Sequence, residues 1–216
     1  MSEILNETEV RVLGSLVEKQ LTTPEYYPLT MNALIAACNQ KSNRDPVTSL
    51  DEDTIAASLD ALRERNLVYL FHGSTSRVVK YKHMLPAVYE LDPAKTAVLA
   101  VLMLRGPQTV GELRGRTDRM HEFSALSEVQ ETLDALARRD VPLVTRLERQ
   151  PGQKDARYAH LLSGEIVQDA RPRPEPRVSD SSTSERIAGL EREVERLSGE
   201  LASFRETFDE FRKQFD

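Results

Sequence analysis

TIAASLDALRERNLVYLFHGSTSRVVKYKH, Thr54 to His83, decides the fold because the chain writes it twice. Further on come VQETLDALARRD from Val129 and LVTRLERQPGQKDARYAH from Leu143 to His160. Ile55, Leu59, Asp60, Ala61 and Leu62 fall on Val129, Leu133, Asp134, Ala135 and Leu136, and Lys80-Tyr81-Lys82-His83 falls on Arg157-Tyr158-Ala159-His160. A repeat of this length marks a duplicated structural unit. In each copy the apolar residues stand at i, i+4 and i+7, which is one face of a helix. Two short β-branched and aromatic runs follow. They are separated by Gly73-Ser74-Thr75-Ser76 in one copy and Gln150-Pro151-Gly152-Gln153 in the other, the mark of a hairpin. A helix followed by a hairpin is the back half of a winged helix-turn-helix.

Upstream of the first copy, Asn6 with Glu9 reads as a capping box, and Leu5 and Val10 can staple the helix entry. Val10, Leu13, Leu16 and Val17 make its inward stripe. Pro24 and Pro28 bracket a loop with Tyr26 and Tyr27, and Thr30 caps a second helix, MNALIAAC. Residues 39–50, NQKSNRDPVTSL, have no periodicity and are rich in turn formers. This joint is about three times the three or four residues of an ordinary helix-turn-helix, which argues against standard docking on DNA. Asp51 opens the third helix. In the second copy Asp92 caps a helix with Pro93 at its first position, where a missing N–H costs nothing. Ala97 to Leu104 is apolar nearly all round and predicts deep burial. Thr109 with Glu112 is a further capping box, and Ser127 with Gln130 is expected to open the last helix of the unit.

After Ile166 the composition changes. RPRPEPRVSDSSTS, residues 171–184, offers too little apolar surface to offset the entropy of ordering it and reads as a linker. In residues 185–216 an apolar seam of Ile187, Leu190, Val194, Leu197, Leu201, Phe204, Phe208, Phe211 and Phe215 alternates in steps of three and four. A strict 3.5-residue period suits a partner helix better than a globular face, so the tail predicts a coiled coil and a homodimer. The expected class is α+β, mainly α with small β-wings. The expected layout is a winged-helix domain over residues 1–88, a second over 89–170, a disordered linker and a C-terminal coiled coil.

The 216 residues carry a net charge of −6 with a pI near 5.4, which is not the basic signature of a dedicated nucleic-acid binder. The single cysteine, Cys38, excludes an internal disulfide and a cysteine-rich zinc site. No basic segment with an apolar core opens the chain, and no apolar run approaches a membrane span, so a cytoplasmic protein is expected.

Five passages carry a resemblance. EKQLTTPEYYPLTMNALIAACNQKSNRDPV (Glu18 to Val47), LMLRG (Leu102 to Gly106), GELR with EFS (Gly111 to Arg114, Glu122 to Ser124) and RYAHLLSGE (Arg157 to Glu165) resemble the YceH-like family of proteobacterial proteins. The resemblance implies a pair of winged-helix domains in one chain. It carries over no catalytic or binding residues.

The chemistry-bearing residues form no catalytic pattern. His72, His83, His121 and His160 stand in no metal-ligand spacing, and no nucleophile elbow or phosphate-binding glycine loop is present. No enzyme activity, cofactor or metal is expected. His83 and His160, at equivalent positions beside a tyrosine, point to a structural role at the base of each wing. For duplex DNA the signals divide. The helix before each wing, which would ordinarily read the major groove, carries Glu52, Asp53, Asp60 and Glu64 in one copy and Glu128, Glu131 and Asp134 in the other. These would repel phosphates. Basic residues gather elsewhere: Lys41 and Arg44 on the long loop, Arg77, Lys80 and Lys82 on the first wing, Arg114 and Arg116 with Arg119, and Arg157 beside the second wing. Two readings follow. One is a DNA-associated regulator that contacts backbone through Lys41, Arg44, Arg77, Lys80, Lys82, Arg114, Arg116 and Arg157. The other is a protein-protein adaptor that uses the winged-helix faces to grip another protein, as tandem winged-helix chromosome-segregation subunits do.

Overall fold

Asn6 starts the first helix by accepting the Glu9 N–H on its side chain, while the Glu9 carboxylate accepts the Asn6 N–H. The computed structural model, which describes residues 4–72, 78–149, 152–164 and Arg196, then runs as follows. The first half comprises α1 (Glu7–Thr22), a single 3₁₀ turn, α2 (Met31–Cys38), α3 (Glu52–Glu64), β1 (Val68–His72) and β2 (Val79–His83). A short α4 (Leu85–Tyr89) leads into α5 (Pro93–Arg105), α6 (Val110–Thr117), α7 (Leu126–Ala137), β3 (Val144–Arg146) and β4 (Tyr158–His160). Thr30, Asp51, Asp92 and Thr109 each accept a backbone N–H three residues on, so the caps stand where the sequence puts them. The opening of α7 is a correction. It begins at Leu126 behind Ala125, and Ser127 lies inside the first turn; Glu128 reaches back instead to accept the N–H and hydroxyl of Ser124. The helix α4, with Pro86 in its first turn, is too short to announce itself by periodicity.

The fold is α+β: mostly helical, with two antiparallel two-stranded sheets, an arrangement compatible with a winged helix. The two halves match in detail. Val68 stands opposite His83 in one hairpin and Val144 opposite His160 in the other. Leu29 bridges Tyr81 and Gln108 bridges Tyr158, so each hairpin gains a third, one-residue rung at the matching tyrosine. Leu67 caps its preceding helix through the Leu62 carbonyl, as Leu143 does through that of Leu136.

The core runs through both halves. α1 lies against α2, α3 and α5, and α5 against α6, α7 and β4. Residues 10–17 of α1 and 96–104 of α5 are buried without a break, because each helix is covered on several sides. Met1–Val167 accordingly form one compact unit. Gly14 marks the closest approach of the two helices. A Cβ there would stand 3.0 Å from Leu104 Cδ2 and 3.1 Å from Met103 Cβ. Gly14→Val should therefore wedge α1 from α5 and cost about 1–3 kcal/mol. Denaturant unfolding should shift as one transition, because both halves share the damaged seam. Two separated transitions would show that the halves unfold independently.

The long segment between α2 and α3 is fastened rather than loose. Arg11 donates to the Pro46 carbonyl at 2.6 Å, the Asp45 N–H donates to the Leu104 carbonyl at 2.9 Å, and the Asn39 side chain exchanges bonds with Leu50. Among the described residues no helix is long and apolar enough to cross a membrane. The linker over 171–184 and the seam from Ile187 to Phe215 lie outside the described residues.

Candidate functional site

The first hairpin sorts its residues by register. Val68, Leu70 and His72 face Val79, Tyr81 and His83 on one side of the ribbon, and Tyr69 and Phe71 stand opposite Lys82 and Lys80 on the other. The inner side meets the core only at its base, where Val68 and His83 are buried and Tyr81 packs against the core beside Leu29; toward the tip Leu70 and His72 are exposed. The outer side is thereby turned to solvent, with Tyr69 49 % and Phe71 45 % exposed. Direct cross-strand partners sit ~5 Å apart at Cβ, so this face presents two ammonium groups against two aromatic rings. Among the described residues no ion pair engages Lys80 or Lys82. Arg77 falls in the part of the hairpin outside the described residues.

The remaining basic residues divide. Lys41 is exposed on the long loop. Arg44 is a correction: its side chain is 0 % exposed, and it grips both carboxylate oxygens of Glu18 at 2.7 and 3.0 Å. Its remaining bonds run to the Ala37 and Asn43 carbonyls and the Gln40 side chain. A guanidinium so enclosed cannot reach a phosphate. It anchors the loop. Arg114 donates to the carbonyls of Phe123 and Ser124 and ties α6 to the start of α7. Arg116 and Arg157 both lean on Glu112, at 3.5 and 2.9 Å, and Arg157 also donates to the Pro107 carbonyl. In the second half Arg114, Arg116 and Arg157 thus hold the domain's own parts, whereas Lys80 and Lys82 on the first hairpin have no ion pair among the described residues.

On α3 the acids Glu52, Asp53, Asp60 and Glu64 are all exposed, and the one relief among the described residues is a 2.8 Å pair from Arg63 to Asp60. On α7 Glu131 is exposed and Asp134 is paired with Arg138. Both helices keep a negative outer face.

His83 and His160 sit at the base of each hairpin. The His83 N–H donates to the Tyr27 hydroxyl, His83 Nδ1 accepts the Leu85 N–H at 3.3 Å, and His83 Nε2 is sealed without a partner. His160 Nδ1 is likewise sealed. Burial lowers each imidazole to about 4, with Lys82 adding to the effect on His83. They are neutral spacers between hairpin and helices.

Sequence reading missed Tyr69 and Phe71. The alternation in Val68-Tyr69-Leu70-Phe71-His72 held the signal, but only the pairing register says which side faces out.

A family model described as "Protein of unknown function, DUF480" matches residues 5–153. The "UPF0502 protein" of Pelobacter propionicus is 51 % identical over 220 residues, covering 100 % of both chains. The one from Geobacter sulfurreducens is 50 % identical over 220 residues, again covering 100 % of both. That of Opitutus terrae is 58 % identical over 175 residues, 80 % of this chain and 76 % of its own.

Proposed function

We propose, from the premise that the chain belongs to the DUF480 family of proteins of unknown function, that it is a non-enzymatic tandem winged-helix protein that associates with duplex DNA. The observation that carries the reading is the outer face of the first hairpin. Lys82 stands there exposed and Lys80 half-buried, both without an ion pair among the described residues, beside the exposed rings of Tyr69 and Phe71. Phosphates would meet the ammonium groups, and the rings would pack on the sugar edges. Contacts of this kind position a protein without reading sequence. The acids on α3 keep that helix off the backbone, and the long fastened loop replaces the tight turn of an ordinary reader helix. Fluorescence anisotropy with a labelled duplex at low salt tests the proposal: binding at micromolar protein is expected, since even non-specific binders reach ~10⁻⁴–10⁻⁶ M at physiological salt.

The adaptor reading has its own observation, the exposed acidic face of α3. Capture from a cytoplasmic lysate separates the two. Partners that survive nuclease and vanish on Asp60→Ala with Glu64→Ala belong to the adaptor. Partners lost with nuclease belong to DNA.

The regulator would act as a homodimer joined by its tail, because the seam from Ile187 to Phe215 keeps the 3.5-residue period of a two-stranded coil. Removing residues 185–216 should halve the mass seen by light scattering while leaving the helical signal of the first unit in place. An unchanged subunit number would show that assembly lies elsewhere.

A further inference from the structure

A narrow cleft, with about 30 Å³ of room beneath an open mouth, lies between the end of α1, the loop after α2, the last turn of α5 and α6. Arg105, Arg116 and Arg119 line it. The one carboxylate in that lining is Glu18, and both its oxygens already accept from Arg44. Arg105 is pinned by a 2.9 Å bond to Asn43 Oδ1, and the Asn43 backbone is in the left-handed region at φ 58°. Its Nε is sealed from solvent without an acceptor. Arg116 reaches Glu112 only at 3.5 Å, and Arg157 holds that same carboxylate at 2.9 Å. Arg119 is exposed, just past the end of α6.

Two of these cations have an ordinary explanation. Arg105 and Arg116 stand in the last turns of their helices, where a positive charge suits the free carbonyls. Helix-end charge does not account for Arg119, which stands beyond the last turn of α6. Burial, Arg116 and Arg44 lower the Arg105 guanidinium from its ordinary range, and the carboxylates of Asp45 and Glu112 offset this only in part.

We infer that this cleft binds a single phosphate group, held by Arg105, Arg116 and Arg119. Guanidinium groups match phosphate oxygens in charge and in planar, forked geometry. The site is separate from the wing face and does not depend on the DNA reading.

Thermal unfolding and isothermal titration of the full chain, with inorganic phosphate as the probe and chloride at matched ionic strength as the control, test the site. Phosphate should bind saturably and raise the unfolding temperature where chloride does not. Arg119→Glu, at an exposed position, should leave the unfolding temperature without phosphate unchanged and weaken phosphate by about tenfold or more, the loss expected for one charge-assisted contact. Arg116→Gln provides the same readout from within α6. Equal effects of phosphate and chloride, or equal phosphate affinity in wild type and Arg119→Glu, would overturn the inference. A phosphorylated mononucleotide and a duplex then name the source. If Arg119→Glu weakens the duplex, the phosphate is that of a nucleic-acid backbone; if it weakens only the mononucleotide, the ligand is a free phosphomonoester. Either result upholds the cleft.

Discussion

Acid should unfold this protein through two histidines. His83 and His160 take up a proton near pH 6.5 when unfolded but only near pH 4 when folded, because their buried rings cannot be solvated as cations. Between those values the unfolded chain binds more protons, so stability falls as pH falls. It is complete above about pH 6.5 and levels off below about pH 4. The gap is worth on the order of 3 kcal/mol for each histidine. Together they account for a large share of a stability that in ordinary domains is about 5–15 kcal/mol. Urea titrations at both ends of that window should show the loss. His83→Leu should be weaker at neutral pH, since the Leu85 N–H loses its acceptor, yet should forfeit about half of the acid dependence. A variant with the full wild-type slope would place the titrating groups elsewhere.

Breaking the buried pair between Glu18 and Arg44 should be the most damaging single change. Arg44 is 0 % exposed at its side chain and Glu18 10 %, so Glu18→Ala leaves a desolvated guanidinium with only carbonyl and amide partners. The expected cost is about 3–5 kcal/mol. The damage should spread, because Arg44 ties the long loop to α1 and the same loop meets the end of α5 through Asp45. Adding Arg44→Met to Glu18→Ala should recover much of the loss, since an apolar side chain replaces the stranded charge. A single-variant cost below about 1 kcal/mol would mean that the pair behaves as a surface salt bridge.

The elements were legible in the sequence where the signal was local. Asn6 with Glu9, Asp92 with Pro93 and Thr109 with Glu112 announce helix starts because a cap needs only residues three apart. The hairpins were legible because the same pattern of residues occurs twice along the chain. What escaped was non-local. Arg44 reads as a solvated loop cation until Glu18, a neighbour only in space, is seen to enclose it. Tyr69 and Phe71 read as ordinary strand residues until register puts them beside Lys82 and Lys80. Ser127 misled because two capping patterns overlap, and Glu128 satisfied Ser124 first. Most of these misses are meetings of segments distant in the chain, which periodicity and spacing do not encode.

Whether the first wing grips DNA by its phosphates is tested most directly by the salt dependence of duplex binding. For the full chain, log K should fall linearly with log salt. Reversing Lys80 and Lys82 to Glu should flatten that slope by ~0.9 for each phosphate no longer engaged, and should weaken all sequences about equally. Replacing Asp60 and Glu64 with Ala should leave binding unchanged or strengthen it. A slope indifferent to Lys80 and Lys82, or no duplex binding at low salt with tens of micromolar protein, would contradict a phosphate grip by this wing.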